Sequence, residues 1–442
     1  MTAYWCELAW LGGERAEAGV LIDVEDGRFA SVTGATPAPP PGARRLEGLT
    51  LPGLANSHSH AFQRALRGRT HWRGSFWNWR EHMYRLAARL DPETYLALAR
   101  ATYAEMVLAG VTAVGEFHYL HHGPDGVSYD DPNEMGHALI AAAADAGLRI
   151  TLIDCCYLHG GIGEPPAGPQ RRFSDGSATA WADRVEALQE GEAVRLGGAI
   201  HSVRAVDPEG AAIVAGWASE RDRPLHAHVS EQPAENEACR EAYGRTPTAV
   251  LADAGALAAR FTAVHATHLD DGDVSLLGGS GACCCACPTT ERDLADGIGE
   301  MRRLAEAGAS LSLGSDSHAV IDLFEEARAV ELDERLASGE RARHTAAALL
   351  RAASGDGHAC LGWPDAGRIA PGARADLVTV SLAGVRLAGT DPTNALDAVV
   401  FGAGAPDVSD VLADGRELVR EGRHATIDVP RELHDAVLAA TA

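Results

Sequence analysis

The central part of this 442-residue chain alternates two textures, and that alternation restricts its fold more than any other feature. Short apolar, β-branched runs at 51–56, 111–117, 149–153, 196–201, 225–229, 261–265, 281–287 and 310–314 read as eight strands. Between them lie Ala/Leu/Arg-rich stretches of helical composition, such as 92–109, 132–146, 179–188 and 208–218. Strands separated by helices imply repeated βα units and a parallel sheet. Eight of them predict an α/β fold of the (β/α)8 TIM-barrel type, a unit of about 250 residues or more. Most of the eight runs end in polar or charged residues, and the C-terminal ends of barrel strands are where this architecture carries its chemistry.

The two ends of the chain differ from the middle and resemble each other. Val20-Leu21-Ile22-Asp23-Val24 followed by Glu25-Asp26-Gly27 is a hairpin signal, as is Val411-Leu412-Ala413-Asp414-Gly415. Pro37-Ala38-Pro39-Pro40-Pro41-Gly42 reads as a linker. The expected organisation is a small β-sandwich domain built from 1–50 plus 364–442, around a barrel domain at 51–363. With 46% hydrophobic and 23% charged residues, the chain can bury a large core.

Charge excludes several classes of partner. A net charge of -24 argues against nucleic acid and anionic membrane surfaces, which require concentrated positive charge. The sequence contains no lysine, so all 38 basic residues are arginine. That rules out Schiff-base chemistry, a P-loop lysine and a lysine-derived bridge between two metals. No apolar run approaches the roughly 20 residues of a membrane span, and a cytoplasmic location is expected. Nine cysteines are too few for a disulfide scaffold and suit a reducing compartment. The run Cys283-Cys284-Cys285-Ala286-Cys287 reads as a buried strand using cysteine as a small apolar residue, in preference to a thiolate metal or redox site.

Three clusters at strand ends carry the chemistry: His58-Ser59-His60, His226-Ala227-His228 followed by Glu231, and Gly314-Ser315-Asp316. Residues two apart on a strand share a face, so His58 and His60 can aim two imidazoles at one point. His226 and His228 share a face in the same way and compete for one ligand role. Together the clusters can supply the ligands of a divalent metal and an acid/base, the parts of a hydrolase that activates water.

The order His58-x-His60, His228 on a fifth strand, His265 on a sixth and Asp316 on an eighth resembles the amidohydrolase superfamily. The segment 367–378, Gly-Arg-Ile-Ala-Pro-Gly-Ala-Arg-Ala-Asp-Leu-Val, resembles the stretch with which such chains return from barrel to small domain. The resemblance implies a metal set of His58, His60, His228 and Asp316, with His228 favoured over His226 because it stands three residues before Glu231. It implies Glu231, His265 and Asp316 as the residues that move protons. Three imidazoles and a carboxylate suit one Zn2+, with Fe2+ or Mn2+ also compatible.

A narrower resemblance rests on Asn56 to Ala65, Ser75 to Glu81, Glu116-Phe117-His118-Tyr119, His201 to Val206, Val264 to His268 and the Gly-rich loop from His159 to Phe173. These stretches are similar to the formimidoylglutamate deiminases, which hydrolyse N-formimino-L-glutamate to N-formyl-L-glutamate and ammonia in histidine degradation. By that resemblance Arg80, Tyr119 and Arg204 bind the two carboxylates of this small anionic substrate, while Gln63 and His201 contact its formimino end or the amide region. Phe76-Trp77-Asn78-Trp79 is either a lid or a packed wall. A homodimer is the expected assembly. Two alternatives use the same fold: a deaminase of guanine, adenosine-type or cytosine substrates, which needs no pair of carboxylate clamps, and a non-catalytic metal-stabilised scaffold, which needs no Glu231 or His265.

Overall fold

The computed structural model describes residues 1–71, 75–258 and 260–442. The N-terminal part forms β1 (Thr2–Ala9), β2 (Glu17–Glu25), β3 (Arg28–Thr33) and β4 (Arg44–Pro52). The chain then builds β5 (Leu54–Ser59), β6 (Val111–His118), β7 (Arg149–Cys156), β8 (Val194–Ile200), β9 (Pro224–Val229), β10 (Arg260–His265), β11 (Cys283–Ala286) and β12 (Ser310–Leu313). It ends with β13 (Leu377–Val380), β14 (Val408–Ala413), β15 (Arg416–Arg420) and β16 (Arg423–His424).

Strands β5 to β12 lie in sequence order in one sheet, and every neighbouring pair is parallel. The sheet closes through a parallel bridge between Ser59 and Asp316, with the His60 amide donating to the Asp316 carbonyl and the Asp316 amide to the His58 carbonyl. Eight parallel strands closed on themselves, with helices in the connections, make the expected TIM barrel. The seam is reinforced by side chains. Ser59 Oγ gives its one proton to Glu116 (2.6 Å), so it accepts from His318 Nε2 (3.2 Å). His318 Nδ1 in turn accepts from Ser315 Oγ (2.9 Å), and Ser315 Oγ accepts from Asn56 Nδ2 (2.6 Å).

The helices start where the sequence supplies caps. Asp91-Pro92 opens Pro92–Leu108, with the Asp91 carboxylate accepting from the Thr94 amide, and Asp207-Pro208 opens Pro208–Glu220 in the same way onto Gly210.

The chain ends meet in a second sheet, in the order β16-β15-β14-β13-β4-β1-β2-β3. It is one hydrogen-bonded sheet of eight strands, in which β13 lies antiparallel to β4 and so joins the C-terminal to the N-terminal part. A buried ion pair fastens it to the barrel: Arg149 at the start of β7 binds Asp376 just before β13 and Asp414 after β14 (3.0 Å). Asp376 also accepts from the Asp414 amide (2.9 Å), so the 367–378 segment carries the anchor between the two parts. Among the described residues no helix is long and apolar enough to cross a membrane.

The cysteine run forms β11, and its thiols are free and buried. Cys284 packs into the main core outside the barrel, whereas Cys285 and Cys287 pack with Val264 on the other face, the alternation expected of a buried strand.

Candidate active site

At the C-terminal mouth of the barrel, His58 near the end of β5 and His60 just beyond it turn their rings towards each other, with centroids 4.7 Å apart. His228 on β9 reaches them from across the barrel, its Nε2 lying 3.2 Å from His58 Nε2. Asp316, past β12, brings Oδ1 to 3.3 Å from His58 Nε2 and 3.4 Å from His60 Nε2. A tetrahedral ion with bonds of about 2.0–2.1 Å needs ligand atoms about 3.3–3.4 Å apart, since a tetrahedron's edge is about 1.63 times its radius. Three edges of such a tetrahedron, His58–His228, His58–Asp316 and His60–Asp316, are already close to that length, and His58, His60 and Asp316 bring their donor atoms within 4.8 Å of one another.

Their outer contacts agree. His60 Nδ1 donates to the Phe117 carbonyl (3.0 Å) and His228 Nδ1 to the His201 carbonyl (2.9 Å), which leaves each Nε2 with its lone pair directed inward. Burial, reinforced by neighbouring imidazoles, holds His58 and His228 well below the ordinary imidazole range and lowers His60 to about 3. Three neutral imidazoles and one carboxylate thus converge. His226 behaves differently: its Nε2 turns to the Cys360 carbonyl (3.4 Å), and it takes no place in the cluster.

His265 ends β10 with a left-handed backbone (φ 67°), and Asp316 has φ 42°. Such conformations cost non-glycine residues roughly 1–2 kcal/mol each and persist where the surroundings impose them. His265 Nδ1 donates to Glu291 (3.3 Å), so Nε2 faces Asp316 Oδ2 at 3.7 Å and Glu231 Oε1 at 4.0 Å. Burial alone would lower its pKa, but the Glu291 hydrogen bond and the charges of Glu231 and Asp316 outweigh it and raise His265 to about 10.

One cavity opens above this cluster, and the substrate-side residues line it together: Gln63, Arg80, Tyr119, His201 and Arg204, with Glu231. Arg80 stacks its guanidinium on Trp77 (4.5 Å) and Tyr84 (5.5 Å) and, among the described residues, has no carboxylate partner. Gln63 donates to the Tyr119 hydroxyl (2.9 Å) and leaves its own buried carbonyl oxygen without a donor. Burial, then the Arg204 charge, keeps His201 well below the usual imidazole range and therefore neutral. Arg204, expected to bind a substrate carboxylate, is already paired here with Glu231 (2.9 Å) and Glu235 (3.2 Å). The aromatic stretch begins the helix Phe76–Ala87, where Phe76 and Trp79 form cavity wall and Trp77 is 41% exposed.

Three buried carboxylates at the site had no role assigned from the sequence: Glu116 on β6, Glu235 and Glu291. Each has an assigned partner here: Glu116 accepts from Ser59 Oγ and the Ala61 amide, Glu235 faces Arg204, and Glu291 holds His265. Glu116, raised to about 7 by burial, was visible as a lone acid in an otherwise apolar strand. Cys287 also lies close enough to His265 and Asp316 to join a ligand set with them.

The amidohydrolase family profile matches residues 49–418. Formimidoylglutamate deiminase of Pseudomonas aeruginosa is 41% identical over 398 residues, covering 87% of each chain. An 8-oxoguanine deaminase from the same organism is 30% identical, over 91% of this chain and 92% of that one. Among solved structures, an amidohydrolase from Brucella melitensis superposes with a TM-score of 0.91 at 34% identity, covering both chains completely. With its barrel, its mouth of three imidazoles and an aspartate, and these relatives, the chain belongs to the amidohydrolase family and is a hydrolase of carbon–nitrogen bonds.

Proposed function

We propose that the protein hydrolyses N-formimino-L-glutamate to N-formyl-L-glutamate and ammonia. The observation that carries this reading is Arg80, an arginine at the cavity wall with no carboxylate partner among the described residues, in a cavity that a second arginine, Arg204, also lines. A chain of net charge -24 that keeps two guanidinium groups at one cavity is suited to a small dianion, because planar guanidinium forks bind carboxylates in pairs of hydrogen bonds. The 41% identity to a formimidoylglutamate deiminase supports the same substrate.

His58, His60, His228 and Asp316 would hold one divalent ion, for which zinc is the best match. When bound, such an ion supplies the Lewis acidity that makes water a nucleophile at neutral pH. With no lysine to form a bridging ligand, a single ion is the expected count.

The protein groups divide the remaining work. His265, fixed by Glu291, presents Nε2 beside Asp316 and orients the attacking water. Glu231 accepts a proton as the carbon–oxygen bond forms at the formimino carbon and returns it to the terminal nitrogen, so that ammonia leaves and the glutamate nitrogen stays. The unpaired Gln63 carbonyl accepts an amidine N–H, and neutral His201 contacts the same end. Arg80, Tyr119 and Arg204 hold the carboxylates.

The test is product analysis in H2(18)O. One 18O atom in N-formyl-L-glutamate, with one ammonia per turnover, supports the reading. Formamide and free glutamate, or no turnover, refutes it.

A further inference from the structure

The same guanidinium that this reading gives to a substrate carboxylate already holds the group that moves the proton. Arg204 Nη2 donates to Glu231 Oε2 at 2.9 Å, while the other Glu231 oxygen stands 4.0 Å from His265 Nε2, too far for a hydrogen bond. Behind it, Glu235 is almost completely buried: one oxygen accepts from the Ser230 amide (3.1 Å) and the other lies 3.2 Å from Arg204 Nε. Glu235 is thereby fixed to the end of β9, and its charge stands behind Arg204 in ion-pair contact without a hydrogen bond. Glu231 and Arg204 both face the cavity, so an entering anion meets this pair.

Resting on the substrate reading above, we propose that Arg204 is a carboxylate-exchange residue, with Glu235 as its positioning residue. An incoming carboxylate takes the cavity-side N–H groups of Arg204, and Glu231 is released towards His265 and the reacting carbon. One guanidinium cannot give the same N–H edge to both anions, and Glu235 blocks its retreat. Binding of the correct anion then enables catalysis, and an amidine without that carboxylate leaves Glu231 held aside. The missing carboxylate lowers kcat as well as raising KM.

The test uses the wild-type, metal-loaded enzyme and two analogues with one carboxylate each, N-formimino-L-norvaline and N-formimino-4-aminobutanoate. Saturating acetate, supplied as a free carboxylate, is expected to raise kcat about fivefold on the analogue that lacks the Arg204 partner. Arg204→Met with Glu235→Gln, which removes the orphaned buried charge, is expected to show that higher kcat without acetate and no response to it. Acetate that leaves kcat unchanged on both analogues, or only inhibits, overturns the exchange while the substrate reading stands. Wild-type enzyme without turnover of N-formimino-L-glutamate overturns both.

Discussion

His58 Nε2 and His228 Nε2 lie 3.2 Å apart across the barrel mouth, although 170 residues separate them in the chain. His228 spends its Nδ1 proton on the His201 carbonyl and burial keeps both rings neutral, so the His228 Nε2 lone pair points at His58, and a cation seated between the two nitrogens would take a lone pair from each. Dialysis against a chelator is expected to abolish ammonia release and lower the melting temperature, and stoichiometric Zn2+ to restore both, because a ligand bound only by the folded state stabilises it. Full activity with no metal by elemental analysis contradicts this.

Gly314 precedes Asp316 at the closing seam, and a Cβ there would lie 2.7 Å from His58 Cβ, 2.9 Å from the His58 carbonyl oxygen and 3.0 Å from Cys287 Sγ. The backbone carrying His58 has to shift to admit it. Gly314→Ala is expected to lower kcat/KM by about tenfold to a hundredfold and to weaken metal retention. Wild-type values for both would show that the seam yields freely.

Removing Asp376 leaves Arg149 as a buried cation with Asp414 as its remaining carboxylate. Asp376→Ala is expected to cost about 3–5 kcal/mol in urea unfolding, whereas the apolar pair Arg149→Met with Asp376→Leu costs less. If the double replacement proves at least as damaging as the single one, the loss does not come from an uncompensated charge.

Acid sensitivity follows from histidines away from the cavity. His121, His226 and His358 are each lowered to about 4, first by burial, with the charges of Arg184 on His121 and Arg149 on His358 adding to it. An unfolded chain protonates them below about 6.5, while the folded chain resists until about 4. Between those values the unfolded state binds more protons, so stability falls as pH falls, by up to about 1.4 kcal/mol per pH unit for each group. Unfolding midpoints between pH 7 and 4 measure the slope, and His226→Gln is expected to reduce it. An unaltered slope removes His226 from the balance.

The fold was readable because periodicity is local: seven barrel strands and both hairpins overlie runs visible in the sequence, while the run 51–56 is divided at Gly53 between the end of β4, in the other sheet, and the start of β5. The His58-x-His60 pair was readable for the same reason. The two-residue spacing left His226 and His228 equivalent and the family resemblance favoured His228; in the structure the Cys360 carbonyl, from a distant helix, takes the His226 ring away from the cluster. Glu235 and Glu291 lie in helices among other charged residues and look like solvated surface acids until tertiary packing buries them. The same holds for Arg204, whose pairing with Glu231 depends on how the segment after β8 meets the segment after β9. Arg149 and Asp376, 227 residues apart, have no local signature of their contact.

Side-by-side ammonia release from N-formimino-L-glutamate and 8-oxoguanine measures whether the site selects a small dianionic amidine over a nucleobase. kcat/KM is expected to favour N-formimino-L-glutamate by about 10⁴-fold, the scale on which buried polar groups reject a substrate that leaves them unpaired. Equal values, or a preference for the purine, would contradict it.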